Sequence, residues 1–124
     1  MAMRDSTAAR RKQLFREAVE LIERDYCEEL SLESVARRLA TSRRQLQRAF
    51  AEAGDTSFRD VLAGIRMRHA RRLLAAEPIP VRRVAERVGY PQPAQFAKTF
   101  RRHHGTAPSA YRKRARAEHD SAAA

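Results

Sequence analysis

Several residue types that build sites in other proteins are scarce in this sequence, which has one cysteine (Cys27) and four glycines. A single cysteine excludes a disulfide framework and a thiolate metal site. Four glycines hardly suffice for a phosphate-binding loop, and neither a Ser–His–Asp spacing nor a paired-carboxylate motif is present. No apolar run approaches membrane-spanning length, and no signal-peptide core follows Met1. We therefore expect a soluble, non-enzymatic protein of a reducing cytoplasm, with no cofactor, metal or membrane.

Acidic residues are also outnumbered, with 15 against 26 basic ones and a formal net charge of +11. Lys12, Lys98 and Lys113 are the only lysines, so most of the positive charge is guanidinium, whose planar fork of donors suits phosphates and guanine edges. The imbalance predicts an anionic partner. Nucleic acid is favoured over a membrane surface because no single uninterrupted basic amphipathic helix carries the charge. Composition alone would also fit a ribosomal protein or a merely soluble basic protein.

Helical periodicity runs through every segment, and no segment shows the two-residue alternation of a strand. The pattern predicts an all-α fold of seven helices, with two helix-turn-helix subdomains joined by a long linker helix. We expect the first helix to begin near Ser6 or Thr7. The third helix should open at Ser42, with Gln45 completing a capping box, and should stop at Gly54 as its C′ residue.

The division of the chain follows from its helix breakers. Two prolines in Glu77-Pro78-Ile79-Pro80 must end the linker helix, because proline lacks a backbone donor and disfavours helix before it. The predicted parts are an N-terminal helix with the first helix-turn-helix unit (1–54), the linker helix (55–77), the second unit (78–112) and a frayed basic tail (113–124).

An internal repeat carries most of the functional information. Its copies begin at Val35-Ala36 and Val84-Ala85, and each continues through a turn into a basic helix. Leu46 of the first basic helix corresponds to Phe96 of the second, so the second turn contains one extra residue. A repeated apolar pattern with arginine, lysine and glutamine on the surface of each copy is typical of a protein that contacts double-stranded DNA with two recognition helices.

The first basic helix has two distinct faces. Leu46 and Phe50 belong to the stripe that we expect to be buried. Arg44, Gln47 and Arg48 lie on the opposite face, where arginine can bond both acceptors of guanine and glutamine can pair with adenine. Taken alone, these side chains would as readily be ordinary solvated helix residues. Their place in a duplicated unit favours base reading.

The second basic helix has shorter side chains at the equivalent positions, because Ala94 and Ala97 replace Arg44 and Gln47. Alanine can at most touch a thymine methyl group. We therefore expect the first unit to supply most of the sequence discrimination and the second mostly affinity, with Arg102 at phosphates. The predicted DNA-binding residues are Arg43, Arg44, Gln47, Arg48, Ala94, Gln95, Ala97, Lys98, Arg101 and Arg102.

Two other polar clusters predict no further site. His103 and His104 are adjacent, so they diverge on a helix, and no cysteine or acidic ligand lies at metal spacing beside them. We expect a surface or packing role for both. Asp25, Glu28 and Glu29 form an acidic patch that we interpret as a solvated helix end.

Three spaced motifs extend from about Ser31 to Arg112. They read Leu32-x2-Val35-Ala36-x5-Ser42-x3-Leu46-x3-Phe50, then Arg66-Met67-x2-Ala70-x2-Leu73-Leu74, then Val84-Ala85-x2-Val88-Gly89-Tyr90 with Phe96-x3-Phe100-x4-Gly105-x2-Pro108-x2-Tyr111-Arg112. This pattern resembles the DNA-binding domain of the AraC/XylS family of bacterial transcription regulators. The chain departs from the family pattern at Gln92-Pro93-Ala94-Gln95, which replaces the commoner acidic-x-Ser-aromatic sequence, and at Ala107, which replaces the usual Ser or Thr cap.

The resemblance implies that both basic helices insert into successive major-groove segments on one face of DNA, beside RNA polymerase. It places base-contacting positions of the two units at Arg44, Gln47, Arg48, Ala94, Gln95, Ala97 and Lys98. The chain is similar to small stand-alone regulators that bind DNA as monomers, although an excised domain of a larger protein would look the same. The expected partners are double-stranded DNA and RNA polymerase, and the expected location is the bacterial cytoplasm, in association with the nucleoid.

Two alternatives stay open beside a sequence-specific regulator. A non-specific architectural binder of nucleic acid would explain why the second basic helix has few long side chains that could contact bases. Against it, no wedge residues for the minor groove are evident. A protein-interaction module would use the acidic patch instead. DNA affinity that persists when both Arg44 and Arg48 are replaced would favour the first alternative, and no DNA affinity at all would favour the second.

Overall fold

The computed structural model describes the backbone of residues 2–123 and the side chains of residues 7–122. Within these limits the chain forms α1 (Ala2–Asp25), α2 (Leu32–Arg38), α3 (Arg43–Gly54), α4 (Phe58–Ala76), α5 (Val81–Arg87), α6 (Pro93–His104) and α7 (Pro108–Ala123). The predicted all-α fold of seven helices is confirmed for the described residues. The chain divides into two compact units, Met1–Leu62 and Ala63–Ala124, and the boundary lies inside α4.

In the first unit, α1 and α2 pack against α3. The ring of Phe50, which is 1% exposed, is the centre of this packing: Phe15 meets it edge-on at 5.3 Å and Phe58 at 6.0 Å between ring centroids. Edge-to-face geometry stabilises aromatic pairs beyond the area that they bury. The other fully enclosed side chains of this core are Ala18, Ile22, Val35, Leu46 and Ala49.

Serine side chains cap the N-termini of α2 and α3. Ser31 and Ser34 form a reciprocal capping box on α2, each hydroxyl accepting from the other's backbone N–H at 3.0 Å. Ser42 caps α3 by accepting from the Gln45 N–H at 3.1 Å. The predicted capping box at Ser42 is only half formed, because the Gln45 side chain does not return the bond; it lines a surface cavity beside α1 instead.

The end of α3 differs from the expectation at Gly54. Gly54 is the last helical residue, and the left-handed cap is Asp55 (φ 49°), whose N–H donates to the Phe50 carbonyl. Asp tolerates this conformation better than most residues, which allows the helix to run one residue further. Glycine at position 54 serves packing, because a Cβ there would overlap the ring of Phe15.

Both ends of the chain are more helical than expected. α1 begins at Ala2, not near Ser6 or Thr7, because nothing before Ser6 breaks a helix and Ala, Met and Arg favour one. α7 continues to Ala123, so the prediction of a frayed tail beyond Arg112 is wrong within the described residues. Alanine and arginine dominate that stretch, and both have high helix propensity.

In the second unit, α6 packs between α5 and α7. Val84, Val88, Phe96 and Phe100 are each 0% exposed. α4 ends at Ala76, as the two prolines that follow predict. The side chain of Arg112 satisfies the end of that helix, donating from Nε to the Leu74 carbonyl at 3.1 Å and from Nη2 to the Glu77 carbonyl at 3.2 Å.

The turns of the two units correspond as the repeat predicts. The turn between α2 and α3 spans residues 39–42 and the turn between α5 and α6 spans residues 88–92, which confirms the extra residue in the second. Each turn contains one left-handed residue, Ala40 (φ 55°) in the first and Gly89 (φ 97°) in the second. Each turn therefore reverses the chain at the same point of the repeat.

Candidate nucleic-acid interface

The outer face of α3 is fixed by its buried face. Leu46 and Phe50 are held in the core of the first unit, so the opposite side of the helix is exposed to solvent. Arg44, Gln47 and Arg48 all lie on that exposed side, as predicted. Among the described residues no carboxylate forms an ion pair with Arg44 or Arg48. Their guanidinium donors are thus available to an anionic ligand.

Arg43, at the start of α3, has a carboxylate partner. Its Nη1 lies 3.5 Å from Oε1 of Glu33, and both side chains are more than half exposed. Ion pairs this exposed contribute little to stability, so phosphate could replace Glu33 at small cost. Arg43 is therefore ion-paired with Glu33 before any ligand binds, unlike Arg44 and Arg48.

α6 repeats this arrangement with fewer long side chains. Ala94, Gln95, Lys98, Arg101 and Arg102 are exposed on one side of the helix. Phe96, Thr99 and Phe100 form the buried side, and Gln92, which precedes the helix, makes no side-chain cap. Arg101 and Arg102, in the last turn of α6, place positive charge where the helix dipole is negative.

One predicted reader of α6 is placed differently. Ala97 is half-buried, because it lies about 100° around the helix from Phe96 and borders the buried stripe. Thr99 is 9% exposed on the other border of that stripe, and the sequence reasoning missed it. The burial of Thr99 could have been predicted from the spacing, because Thr99 immediately precedes Phe100 and lies within one turn of Phe96.

His104 has a packing role, which is one of the two roles expected for it. Its ring lies 4.5 Å from Phe100 and 6.2 Å from Tyr111 between centroids. Burial lowers the pKa of His104, and the charge of Arg71 lowers it further, although a hydrogen bond to the Met67 carbonyl opposes both. In the described part of the chain no cluster of three or more His, Cys, Asp or Glu could hold a metal ion.

The acidic patch is partly an ion-pair network, so the interpretation as a solvated helix end is wrong for Asp25. Arg38 Nη2 lies 2.6 Å from Asp25 Oδ2, and Arg24 Nε lies 3.6 Å from Oδ1. The hydrogen bond from Arg38 lowers the pKa of Asp25, and desolvation opposes it. Sequence spacing did not reveal the pair because the two partners belong to different helices, α1 and α2.

A further contact fixes the turn before α6. Arg66 of α4 is 9% exposed, and its guanidinium carbon lies 5.2 Å from the centroid of the Tyr90 ring. Gly89 makes room for it, because a Cβ there would lie 2.8 Å from Arg66 Nη2. The cation and ring therefore attach the turn to α4, which positions the start of α6.

Paired helix-turn-helix units with exposed basic second helices define a class of protein, the double helix-turn-helix domain. A family model described as "Helix-turn-helix domain" matches residues 35–114. The AraC-type regulator structure from Chromobacterium violaceum superposes with a TM-score of 0.78 at 28% identity, covering 86% of this chain and 96% of that one. The DNA-binding domain of AdpA, solved with a target DNA, gives 0.79 at 32% identity, covering 84% and 94%.

The chain belongs to the AraC/XylS family. Among curated proteins it is 38% identical over 81 residues to the HTH-type transcriptional regulator GlxA of Rhizobium meliloti, covering 65% of this chain and 25% of that protein. With another curated relative, the regulator YijO of Escherichia coli, the covered share is 38% of that protein. The chain thus spans between a quarter and two-fifths of these two relatives. Over the described residues, no helix has the length and apolar character that crossing a membrane requires.

Proposed function

We propose that this chain is a sequence-specific reader of double-stranded DNA that regulates transcription, with α3 and α6 in successive segments of the major groove. The observation that carries the proposal is that both units divide their basic helix in the same way: three buried residues fix one side of the helix, and the polar side faces outward. A groove-reading helix needs this combination of rigid support and exposed donors. That the AdpA domain was solved on a target DNA supports the same use of the fold.

Within that function, α3 discriminates between bases and α6 supplies affinity. Arg44, Gln47 and Arg48 can bond base edges, with Arg43 reaching phosphate from the start of the helix. On α6, Ala94 and Ala97 are too short to bond base edges, so Gln95 and Lys98 are the residues that contact bases. Arg101 and Arg102 bind phosphates and so strengthen binding to every sequence alike.

The proposal also covers the stoichiometry of DNA binding, the location of the protein in the cell and its partner. One chain carries two basic helices that can each enter the major groove, so it binds DNA as a monomer at an asymmetric site. It acts in the bacterial cytoplasm, on the nucleoid, beside RNA polymerase and without catalysing a reaction. The names of the relatives, which are transcriptional regulators, support this assignment.

Selection from a randomised duplex library at about 150 mM salt tests the proposal, because purely electrostatic binding is weakened there. Enrichment of one asymmetric motif supports a monomeric reader. Enrichment of an inverted repeat would contradict the monomer, and retained affinity without any motif would contradict sequence specificity. Sedimentation of the complex with the selected duplex gives the stoichiometry independently.

A second candidate is a non-specific architectural binder, which the alanines on α6 and the net charge of +11 favour. The double variant Arg44→Ala/Arg48→Ala separates the two. A sequence-specific reader loses its preference for the selected duplex over a scrambled one, whereas an architectural binder keeps equal affinity for both. The matched control is Arg82→Ala/Arg83→Ala on α5, which removes the same charge from exposed positions outside the reading helices.

A further inference from the structure

A cavity of about 920 Å³ opens between the second half of α4 and α7, within the second unit. Four arginines line it: Arg68, Arg71 and Arg72 from α4 and Arg116 from α7. Apolar surface lies among them, contributed by Ala75, Ala76, Ala115 and Tyr111. None of these residues belongs to the predicted DNA-binding set. We call this feature the α4–α7 groove.

Guanidinium groups dominate the charge of the groove. Asp120 is the acidic side chain among the described residues that line it. Arg72 donates from Nη2 to His69 Nδ1 at 2.7 Å and Arg116 donates from Nη2 to the Glu77 carbonyl at 3.4 Å, so both bond to uncharged groups. The charge of Arg71 is felt as far as His104, whose pKa it lowers. Such a groove attracts carboxylates, which guanidinium can bind in a bidentate manner.

The groove does not share a face of α6 with the reading residues. Phe100 and His104 point from α6 toward Tyr111, with ring centroids 5.6 and 6.2 Å away, and Tyr111 lines the groove. Around the helix from Phe100, Lys98 lies about 160° away and Arg101 about 100° away. Both are exposed. A ligand in the groove would therefore not occupy the surface with which α6 reads DNA.

We infer that the α4–α7 groove docks an acidic, amphipathic helical segment of a partner protein. The apolar part of the lining favours such a helix over a nucleic-acid backbone. Apolar surface of three alanines and a tyrosine matches the apolar stripe of a helix, which a phosphate backbone lacks, and the guanidinium groups match carboxylates along its edges.

A labelled peptide of about 18 residues, five helical turns with leucine on one face and glutamate on the flanks, is the probe, and its scrambled isomer is the composition control. Binding to the full chain is measured by fluorescence anisotropy. Two double variants remove equal charge: Arg71→Ala/Arg116→Ala in the groove and Arg101→Ala/Arg102→Ala on α6. We expect the groove pair to weaken peptide binding by about tenfold or more and the α6 pair by about twofold or less. The order should reverse for duplex DNA.

Ala75→Glu provides a test that removes no existing contact, so it stays informative if the groove pair folds poorly. It places a negative charge in the groove, which repels the glutamates of the peptide. We expect the same loss of peptide affinity as from the double variant. Amide NMR spectra locate the site directly: the peptide should shift Ala75 and Ala115, and duplex DNA should shift Ala94 and Ala97.

Three outcomes overturn the inference. Equal affinity for the helical and scrambled peptides, or equal losses from both double variants, would mean general attraction to a basic protein. A groove pair that weakens duplex binding as much as the α6 pair does would make nucleic acid the occupant. Absence of peptide binding to the unaltered chain would remove the site altogether. Because these readouts do not depend on base preference, they can fail while the DNA-reading function stands.

Discussion

The guanidinium carbon of Arg66 lies 5.2 Å from the centre of the Tyr90 ring. Arg66 belongs to α4, and Tyr90 follows the turn that leads into α6. Gly89, the left-handed residue of that turn, lies directly against the same guanidinium. The orientation of α6 therefore depends on a buried cation, an aromatic ring and a position without a side chain.

Gly89→Ala should lower the free energy of unfolding by about 2–5 kcal/mol. The left-handed conformation alone costs alanine roughly 1–2 kcal/mol, and the new Cβ must also displace Arg66, which adds about 1–3 kcal/mol. Gly105→Ala is the matched control, because Gly105 has φ 75° but no atom within 4 Å of the added Cβ. Urea unfolding of both variants measures the difference. Equal losses would show that the Arg66 contact contributes nothing.

Gly54→Ala should destabilise the chain by about 1–3 kcal/mol, although alanine is the better helix former. Its Cβ would overlap the Phe15 ring, which cannot retreat freely because its edge packs on Phe50. Gly64→Ala, in α4, meets nothing within 4 Å and should stabilise by about 0.5–1 kcal/mol. Thermal unfolding of the pair tests this contrast. A stabilised Gly54→Ala variant would refute the proposed role of Phe15.

Stability should fall as the pH is lowered through the range in which histidine titrates. Burial and the charges of Arg71 and His103 hold the pKa of His104 below the ordinary value of 6.5. The unfolded chain therefore binds a proton that the folded chain resists, and stability present above pH 6.5 is lost as pH falls toward the lower folded pKa. Denaturant midpoints between about pH 7.5 and 5 measure the loss. His104→Gln should flatten the curve, whereas His103→Gln, which removes only the smallest cause of the shift, should reduce its slope slightly.

Removing Arg38 should raise the pKa of Asp25. The hydrogen bond from Arg38 is the largest cause of its lowered value, and Arg24 adds a smaller effect in the same direction. An NMR titration of the side-chain carboxyl in Arg38→Ala should show the rise. Arg37→Ala, an exposed neighbour on the same helix, should leave the titration unchanged. The pair stabilises the fold above the unfolded value of 3.8, and that contribution disappears as pH falls through the lowered pKa of Asp25.

The helices were predictable where burial repeats at helical spacing. Leu46 with Phe50 and Phe96 with Phe100 marked the buried sides of α3 and α6, and the outward positions followed by geometry. Ala97 is the exception, because a small residue at the border of a stripe can lie on either side of it. The first and last helices were predicted too short. No helix breaker precedes Ser6, and the last segment keeps high helix propensity as far as Ala123.

Contacts between helices could not be predicted from the same patterns. Gly54 looks like a stop signal until the Phe15 ring is known to occupy its free side. Arg66 looks like one more surface arginine, although it is buried beneath Tyr90. Asp25 likewise looks solvated until Arg38 is brought to it from the next helix. Each depends on tertiary packing, which spacing along one helix does not determine.

The central claim is that α3 reads bases while α6 mainly holds the backbone. The most direct measurement is the complete base-preference profile of the unaltered chain, Arg48→Ala and Arg102→Ala, each selected from the same randomised library. We predict that Arg48→Ala loses discrimination worth ~1–3 kcal/mol at one base pair, whereas Arg102→Ala keeps the motif and binds all sequences more weakly. Identical profiles for the two variants would contradict the claim.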